Sequence, residues 1–449
     1  MLAILSDLHL ADGTTSTTVH PSAFEILRRE IEAAARGNAA KSVQLLLLGD
    51  IFDLVRTDWW FDTANTPPEK RPWNGQIDPA TGMNSDQAEV ERQFSAILSR
   101  ILDHPSTMGF IKVVQKLASS KVIPNLAVTY VIGNHDRALN NFPALQKAIQ
   151  AALKVPVQFA NSFIDPAYAV AARHGHEWDE NCNARLLLKE VLQRGKKWDH
   201  LDPAINKIQA LGEVITAELM SGLVWRVKQQ GDNALTDLIK HVDLLRPATD
   251  VFQWIEWQAR KHDLSDSQKQ SLVQALRDSV SGVVDSDFGK LWDKVATDFI
   301  VSGDLVDRLQ LVRSRLKASG YEGLRECVKV LVAFNNLASS VVTEKAEDFE
   351  GAKVEFERLG PGIQYLVYGH THRARHDYLS GKPDGKVQMY INTGTYLPLL
   401  QTTKDGRGFA QSHQMTLTFF FNTNEDTNDR ADAGPTVDIW NGIKRKQYR

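Results

Sequence analysis

Cysteine is almost missing from this sequence: Cys182 and Cys327 are the only two in 449 residues. That excludes the disulfide framework of a small secreted domain and predicts a reducing, cytoplasmic location. Charge of one sign is not in excess either. There are 52 Lys and Arg against 55 Asp and Glu, a formal net charge of -3, so binding a polyanion through bulk charge is excluded while a local basic patch is not. No apolar run approaches the roughly 20 residues that span a bilayer, so no transmembrane segment is expected. The opening Met1-Leu2-Ala3-Ile4-Leu5-Ser6-Asp7 lacks the basic stretch and long apolar core of a secretion signal. Peripheral membrane attachment stays open. Internal repeats and low-complexity tracts are absent too, which leaves a globular chain of ordinary composition, 43% hydrophobic and 24% charged. Its length predicts two domains, or one domain with a large insertion.

Short apolar runs do recur, each giving way abruptly to a polar or glycine-containing cluster. They are Leu2 to Leu5, Val43 to Leu48, Val128 to Ile132, Tyr168 to Ala172, Gln364 to Tyr368 and Val387 to Ile391. Their length and bulky content predict strands buried on both faces. Helical stretches such as Ala23 to Arg36 and Gln87 to Ile101 lie between them, and the alternation predicts a layered α/β domain. From about Asn181 to Glu347 helical periodicity takes over, as in Ile205, Ile208, Leu211, Ile215 and Leu219, and in Val251 to Lys261, Ser267 to Val280 and Asp304 to Ala318. The strand pattern resumes afterwards. Residues 181–347 therefore read as a helical insertion, a cap, between a first core part at 1–180 and a second at 348–442, with a tail at 443–449. Thr57 to Asp86, rich in Pro, Asn, Asp and Gly, reads as a long loop, and Asn424 to Gly434 as a polar loop before a last strand at Thr436 to Trp440.

Ligands collect at the carboxyl ends of strands in such sheets, and five polar clusters fall there. They are Asp7-Leu8-His9, Gly49-Asp50-Ile51-Phe52-Asp53, Gly133-Asn134-His135-Asp136, His174-Gly175-His176 and Gly369-His370-Thr371-His372. Oxygen and imidazole donors in this mixture suit divalent Mn, Fe, Zn or Co better than Ca or a thiolate site. Asp-x-His on a strand-end loop can aim both side chains at one ion. The glycines before Asp50, Asn134 and His370 are expected to let the backbone turn sharply there.

The motif order D-x-H, G-D-x-x-D, G-N-H-D, H-G-H, G-H-T-H resembles the calcineurin-like metallophosphoesterase superfamily, over roughly residues 1–180 and 350–442. The resemblance implies an α/β fold, a four-layer α/β/β/α sandwich, here with a large helical insertion, and a dinuclear metal centre, with Mn the favoured metal. It places Asp7, His9 and His372 on one ion, Asn134, His174 and His370 on the other, and Asp50 between the two. His135 is then not a ligand but sits over the phosphate, paired to Asp53. Two ions about 3.5–4 Å apart clamp a phosphoryl group and activate water. The expected reaction is in-line attack by metal-bound hydroxide on a phosphate mono- or diester of small or medium size, with His135 protonating the leaving group.

Other readings compete. A nuclease would show a Lys/Arg stripe leading to the metals, where only scattered basics such as Arg185, Lys189, Arg194, Lys196 and Lys197 stand, so nucleic acid is not the favoured partner. Gly49 to Asp53 also resembles the branch that cleaves nucleotide-linked lipid precursors at a pyrophosphate, but that branch commonly has Arg where His135 stands and is much shorter. An inactive scaffold binding a partner through the insertion would have lost ligands, and none is missing. His176 is an alternative ligand to His174. Arg137 is weighed between a phosphate contact and a surface salt bridge, and Cys182 reads as a buried, inert thiol. Asn392 to Thr395 reads as a supporting turn. Trp59, Trp60 and Trp73 are weighed between a stacking rim and loop packing; Trp225, Trp254, Trp257 and Trp292 are read as core. Oligomeric state is not legible.

Overall fold

A strand whose every residue is apolar must bury both faces, and the recurring runs do so. The computed structural model describes residues 1–295, 305–341, 347–381, 387–426 and 435–446. Its strands are β1 (Leu2–Leu5), β2 (Val43–Leu48), β3 (Leu126–Val131), β4 (Val157–Ala160), β5 (Phe163–Asp165), β6 (Val170–Ala172), β7 (Tyr365–Tyr368), β8 (Arg375–Gly381), β9 (Val387–Asn392), β10 (Pro398–Thr402), β11 (Phe409–Phe421) and β12 (Thr436–Lys446). They form two mixed sheets, one ordered β10-β11-β1-β2-β3-β4 with β12 also on β11, the other β5-β6-β7-β9-β8. Within them β1 to β4 run parallel, as do β6, β7 and β9, while β11, β5 and β8 pair antiparallel to their neighbours. The protein is thus mixed α/β.

Side chains alternate across each strand, and the alternation sorts the core. Leu2, Ile4, Leu46, Leu48 and Val131 of the larger sheet meet Val170, Val367 and Ile391 of the smaller in one apolar cluster. Their neighbours Ala3, Leu5, Leu45 and Leu47 face the opposite way, into a second cluster. This cluster holds Phe24, Leu27 and Ile31 of α1 (Ser22–Gly37), Phe94 and Ile97 of α2 (Gln87–Leu102), Phe110 and Val114 of α3 (Pro105–Ala118) and Ile149 of α4 (Pro143–Leu153). On the smaller sheet's other face, Leu366, Tyr368 and Tyr390 pack on Ala352 and Phe356 of the helix Glu347–Arg358.

The stretch between β6 and β7 is helical in its described residues, with helices at Val251–Lys261, Asp266–Val284 and Leu305–Val341, the last broken at Gly320 (φ 55°, ψ -128°). Many of its apolar residues, from Leu211 to Leu324, belong to the same cluster as α1 to α4, while Ala184, Leu188, Ile205 and Ile208 form a small cluster of their own. The even period from Ile205 to Leu219 is not one helix. A 3-10 turn at Ile205–Lys207 is followed by extended backbone at Ile208 and Ala210, and the helix that starts at Leu211 carries a π segment at Ile215–Ser221. Arg137 joins the two regions, with Nε 2.6 Å from Glu213 Oε1 and Nη2 2.9 Å from Oε2. It is buried, so it is neither a surface ion pair nor a free phosphate donor.

The expected loop 57–86 is packed down through two short 3-10 turns. Trp60 and Trp73 are buried edge to face, ring centres 5.1 Å apart, and their indole N–H groups donate to Val55 O and Glu218 Oε1. Trp225 stacks on Phe61, and Trp254 and Trp292 are core. The expected tail is corrected as well: strand pairing continues past residue 442 to Lys446. Residues 296–304 and 342–346 of the helical stretch, 427–434 of the polar loop and 447–449 of the tail lie outside the described residues. Among the described residues, no helix is long and apolar enough to cross a membrane.

Candidate metal centre

The carboxyl ends of β1, β2, β3, β6 and β7 point to one side, and the loop after each supplies donors there. Side chains of Asp7, His9 and His372 bring ligand atoms within 4.8 Å of one another, and Asp50, His174 and His370 do the same beside them. All six are buried except half-buried His370. Asn134 belongs with the second group, since its Oδ1 lies 3.1 Å from His370 Nδ1. Asp50 belongs with both: its Oδ2 is 3.3 Å from His174 Nε2 and 3.7 Å from His9 Nε2, while its Oδ1 is held by the His135 backbone N–H at 2.8 Å. The seven residues singled out as ligands are thus brought together. His176 joins neither group; it lies near Glu177, and burial pushes its ring down to about 4.

The backbone is bent to achieve this. Asp7 (φ 51°), His9 (43°), Asp50 (53°), His370 (67°) and His372 (62°) all adopt the left-handed conformation, sparsely populated for any non-glycine residue. Of the three glycines expected to turn the backbone, Gly49 does so, with φ 82°, while Gly133 and Gly369 have no positive φ. Gly133 and Gly369 are needed for space, because a Cβ would lie 2.3 Å from Asp50 Oδ1 and 2.4 Å from Asp7 Oδ2.

Partners behind the donors fix which ring nitrogen faces the centre. His174 Nδ1 lies 2.9 Å from Leu48 O, which leaves Nε2 for the centre. His9 Nδ1 is 2.8 Å from Asp53 Oδ2, and the same oxygen stands 3.0 Å from His135 Nδ1 and 3.3 Å from Arg56 Nε. Asp53 therefore serves His9 as well as His135, and its other oxygen accepts the N–H groups of Val55 and Arg56. Being fully buried, it positions these rings rather than touching a substrate. Ser6 donates to Asp7 Oδ2, Thr395 Oγ1 to Asp7 O and Asn392 Nδ2 to Gly369 O, so the turn after β9 supports the ligand loops.

Three contributors had not been singled out. Asp179 Oδ2 lies 3.1 Å from His370 Nε2, Arg56 faces Asp53, and Arg246 Nη2 stands 3.0 Å from His372 Nε2. Cys182 lies near Asp179 and His370; the residue is half-buried rather than buried as expected, and burial of its thiol, then Asp179, pushes it well above the usual range.

The donor set fits divalent cations. His9 and His372 hold their Nε2 atoms 2.8 Å apart, near enough for both to reach one ion. Asp7 Oδ1 and His174 Nε2 are buried and make no hydrogen bond. Burial would raise the Asp50 carboxyl, but the His174 and His135 rings hold it well below the ordinary range. Burial would lower His174, but Asp50 and Asp7 raise it to about 10, the negative field a cation site requires. Burial and then Arg246 hold His372 neutral, with a lone pair to give. Asp53→Asn should weaken Mn²⁺ affinity by about 10–100-fold in a calorimetric titration, because His9 loses the carboxylate that fixes its tautomer. Unchanged affinity would mean His9 is held without it.

A scan against models of protein families finds no match for this chain, and a search of curated proteins finds none either.

Proposed function

We propose that the protein is a dinuclear-metal phosphoesterase with the α/β/β/α layering of the calcineurin-like metallophosphoesterases. The observation that carries this reading is the pair of buried donor groups sharing Asp50, built from five strand-end loops. In this reading Asp7, His9 and His372 hold one divalent ion and Asn134, His174 and His370 the other, with Asp50 common to both. The ions supply charge neutralisation for a bound phosphoryl group and acidify water.

The chain's own groups do the rest. His135 lines the cavity over the donors, and its Nδ1 faces Asp53, so Nε2 is the nitrogen left to donate a proton to the leaving oxygen. Burial would depress the ring, but in the metal-free protein Asp53 and Asp50 outweigh burial and raise it. Arg246 adds a guanidinium beside His372, where it can pair with a phosphate oxygen. Elemental analysis of protein loaded with Mn²⁺ and desalted should find two ions per chain, and one after His372→Ala. No uptake at all would overturn the reading, and with it the distinction from a partner-binding scaffold that needs no metal.

A further inference from the structure

The cavity over the donor groups, about 340 Å³ in volume, joins two unlike surfaces. Its floor is polar and includes Asp50, Asn134, His135, His370 and His372. Its walls come from the helical stretch and are largely apolar, with Ile215, Leu219, Met220, Phe252, Leu309 and Val312 all facing it. The π segment Ile215–Ser221 helps to build this wall. Its wider i to i+5 turn brings residues four and five apart onto one side, so that Ile215 and Thr216 line the cavity together with Leu219 and Met220. Polar side chains of this stretch line the cavity as well, but away from that apolar run: the Thr216 hydroxyl is taken by Gly212 O at 2.8 Å, Asp243 lies 3.9 Å from Arg56, and Asn181, Thr249 and Arg308 are exposed.

The cations lie at the other end. Arg246 meets His372, and Arg56 lies against Asp53, with its Nε and Nη1 making no hydrogen bond. Arg246 is anchored for that position. Leu245 forms a single bridge to Leu400 of β10, and the Arg246 backbone N–H donates to Leu400 O at 2.9 Å. An anion is therefore matched at the floor, and the run of Ile215, Leu219, Met220, Phe252, Leu309 and Val312 offers apolar surface along one wall. A sugar or base placed against that run would leave its polar groups without partners.

Resting on the phosphoesterase reading, we propose that the substrate is a phosphate ester of an apolar alcohol, with its phosphate at the donor groups beside Arg246 and its aliphatic part along the wall of Ile215, Met220, Phe252 and Leu309. In its hydrolysis water adds across the ester. A P–O bond to water forms, the P–O bond to the alcohol breaks, and the alcohol oxygen takes a proton as it leaves. No oxidant or further reactant is needed.

The test uses methyl-, butyl- and octylphosphonate, whose P–C bonds resist hydrolysis, below any micelle concentration. Their binding to the full-length Mn²⁺-loaded protein is measured by calorimetry. Affinity should rise by about threefold or more per methylene while the chain fits, and Thr216→Trp, which fills the cavity from its wall, should flatten that rise in protein that still takes up Mn²⁺. Equal affinity for methyl- and octylphosphonate in Mn²⁺-loaded protein would overturn the inference and leave the phosphoesterase reading standing. An undiminished rise in Thr216→Trp would overturn the placement of the chain on this wall. Failure to take up Mn²⁺ or to bind any of the three would overturn both readings.

Discussion

Asp50→Asn should lower metal-dependent phosphate-ester hydrolysis by at least about 10³-fold, equivalent to some 4 kcal/mol of transition-state stabilisation. The expectation follows from what this side chain touches. Asp50 places Oδ2 between donors of the two groups, 3.3 Å from His174 Nε2 and 3.7 Å from His9 Nε2. Asparagine keeps the shape and can still accept the His135 N–H through Oδ1, so the loop survives while the charge is lost. With the charge goes the pairing of Asp50 to the His174 ring, which the carboxylate helps to hold protonated in the metal-free protein, so the metal-free variant should melt below the metal-free parent at neutral pH. Wild-type turnover in Asp50→Asn would contradict the role assigned to this carboxylate.

His135→Ala should lower kcat by about 10²–10⁴-fold, the range for loss of a positioned general acid, while two Mn²⁺ per chain are retained. The loss should depend on the leaving group. An alkyl ester, whose alkoxide needs a proton, should suffer most, and a nitrophenyl ester, whose phenolate leaves unaided, should suffer least. This outcome is open to contradiction because His135 also lies within ligand distance of His9 and Asp50. If His135→Ala lost half its metal, His135 would be a ligand and the acid would have to be sought elsewhere.

The donors were legible because each follows a run of residues buried on both strand faces, and such runs are conspicuous. Asp7, Asp50, Asn134, His174 and His370 all sit one to three residues beyond the end of their strands. The residues that hold the donors were not legible in this way. Asp179 and Arg246 reach the centre from the stretch after β6, and Arg246 lies 126 residues from His372 in sequence. No local period marks such a contact, because it is created only when the helices pack. Arg56 was in plain view three residues after Asp53, but Arg in a polar loop is ordinarily solvated, and only its burial singles it out.

Strands were missed for a related reason. β8 is largely exposed, with Arg375, His376 and Tyr378 in solvent, and β11 begins with mixed polar residues before reaching its buried Phe419-Phe420-Phe421 end. Neither has the continuous apolar run of a strand buried on both faces. The π segment was hidden differently. The apolar spacing from Leu211 through Ile215 to Leu219 suits an α-helix and a π turn alike, so periodicity could not separate them.

Hydrolysis of bis(p-nitrophenyl) phosphate and p-nitrophenyl phosphate by one preparation, first with Mn²⁺, then stripped with EDTA, then reloaded, tests the central claim most directly. Turnover that disappears with the metal and returns with it is the result expected of a two-metal phosphoesterase. Turnover that persists undiminished in the stripped protein, or a chain that neither takes up Mn²⁺ nor cleaves either ester, would contradict it.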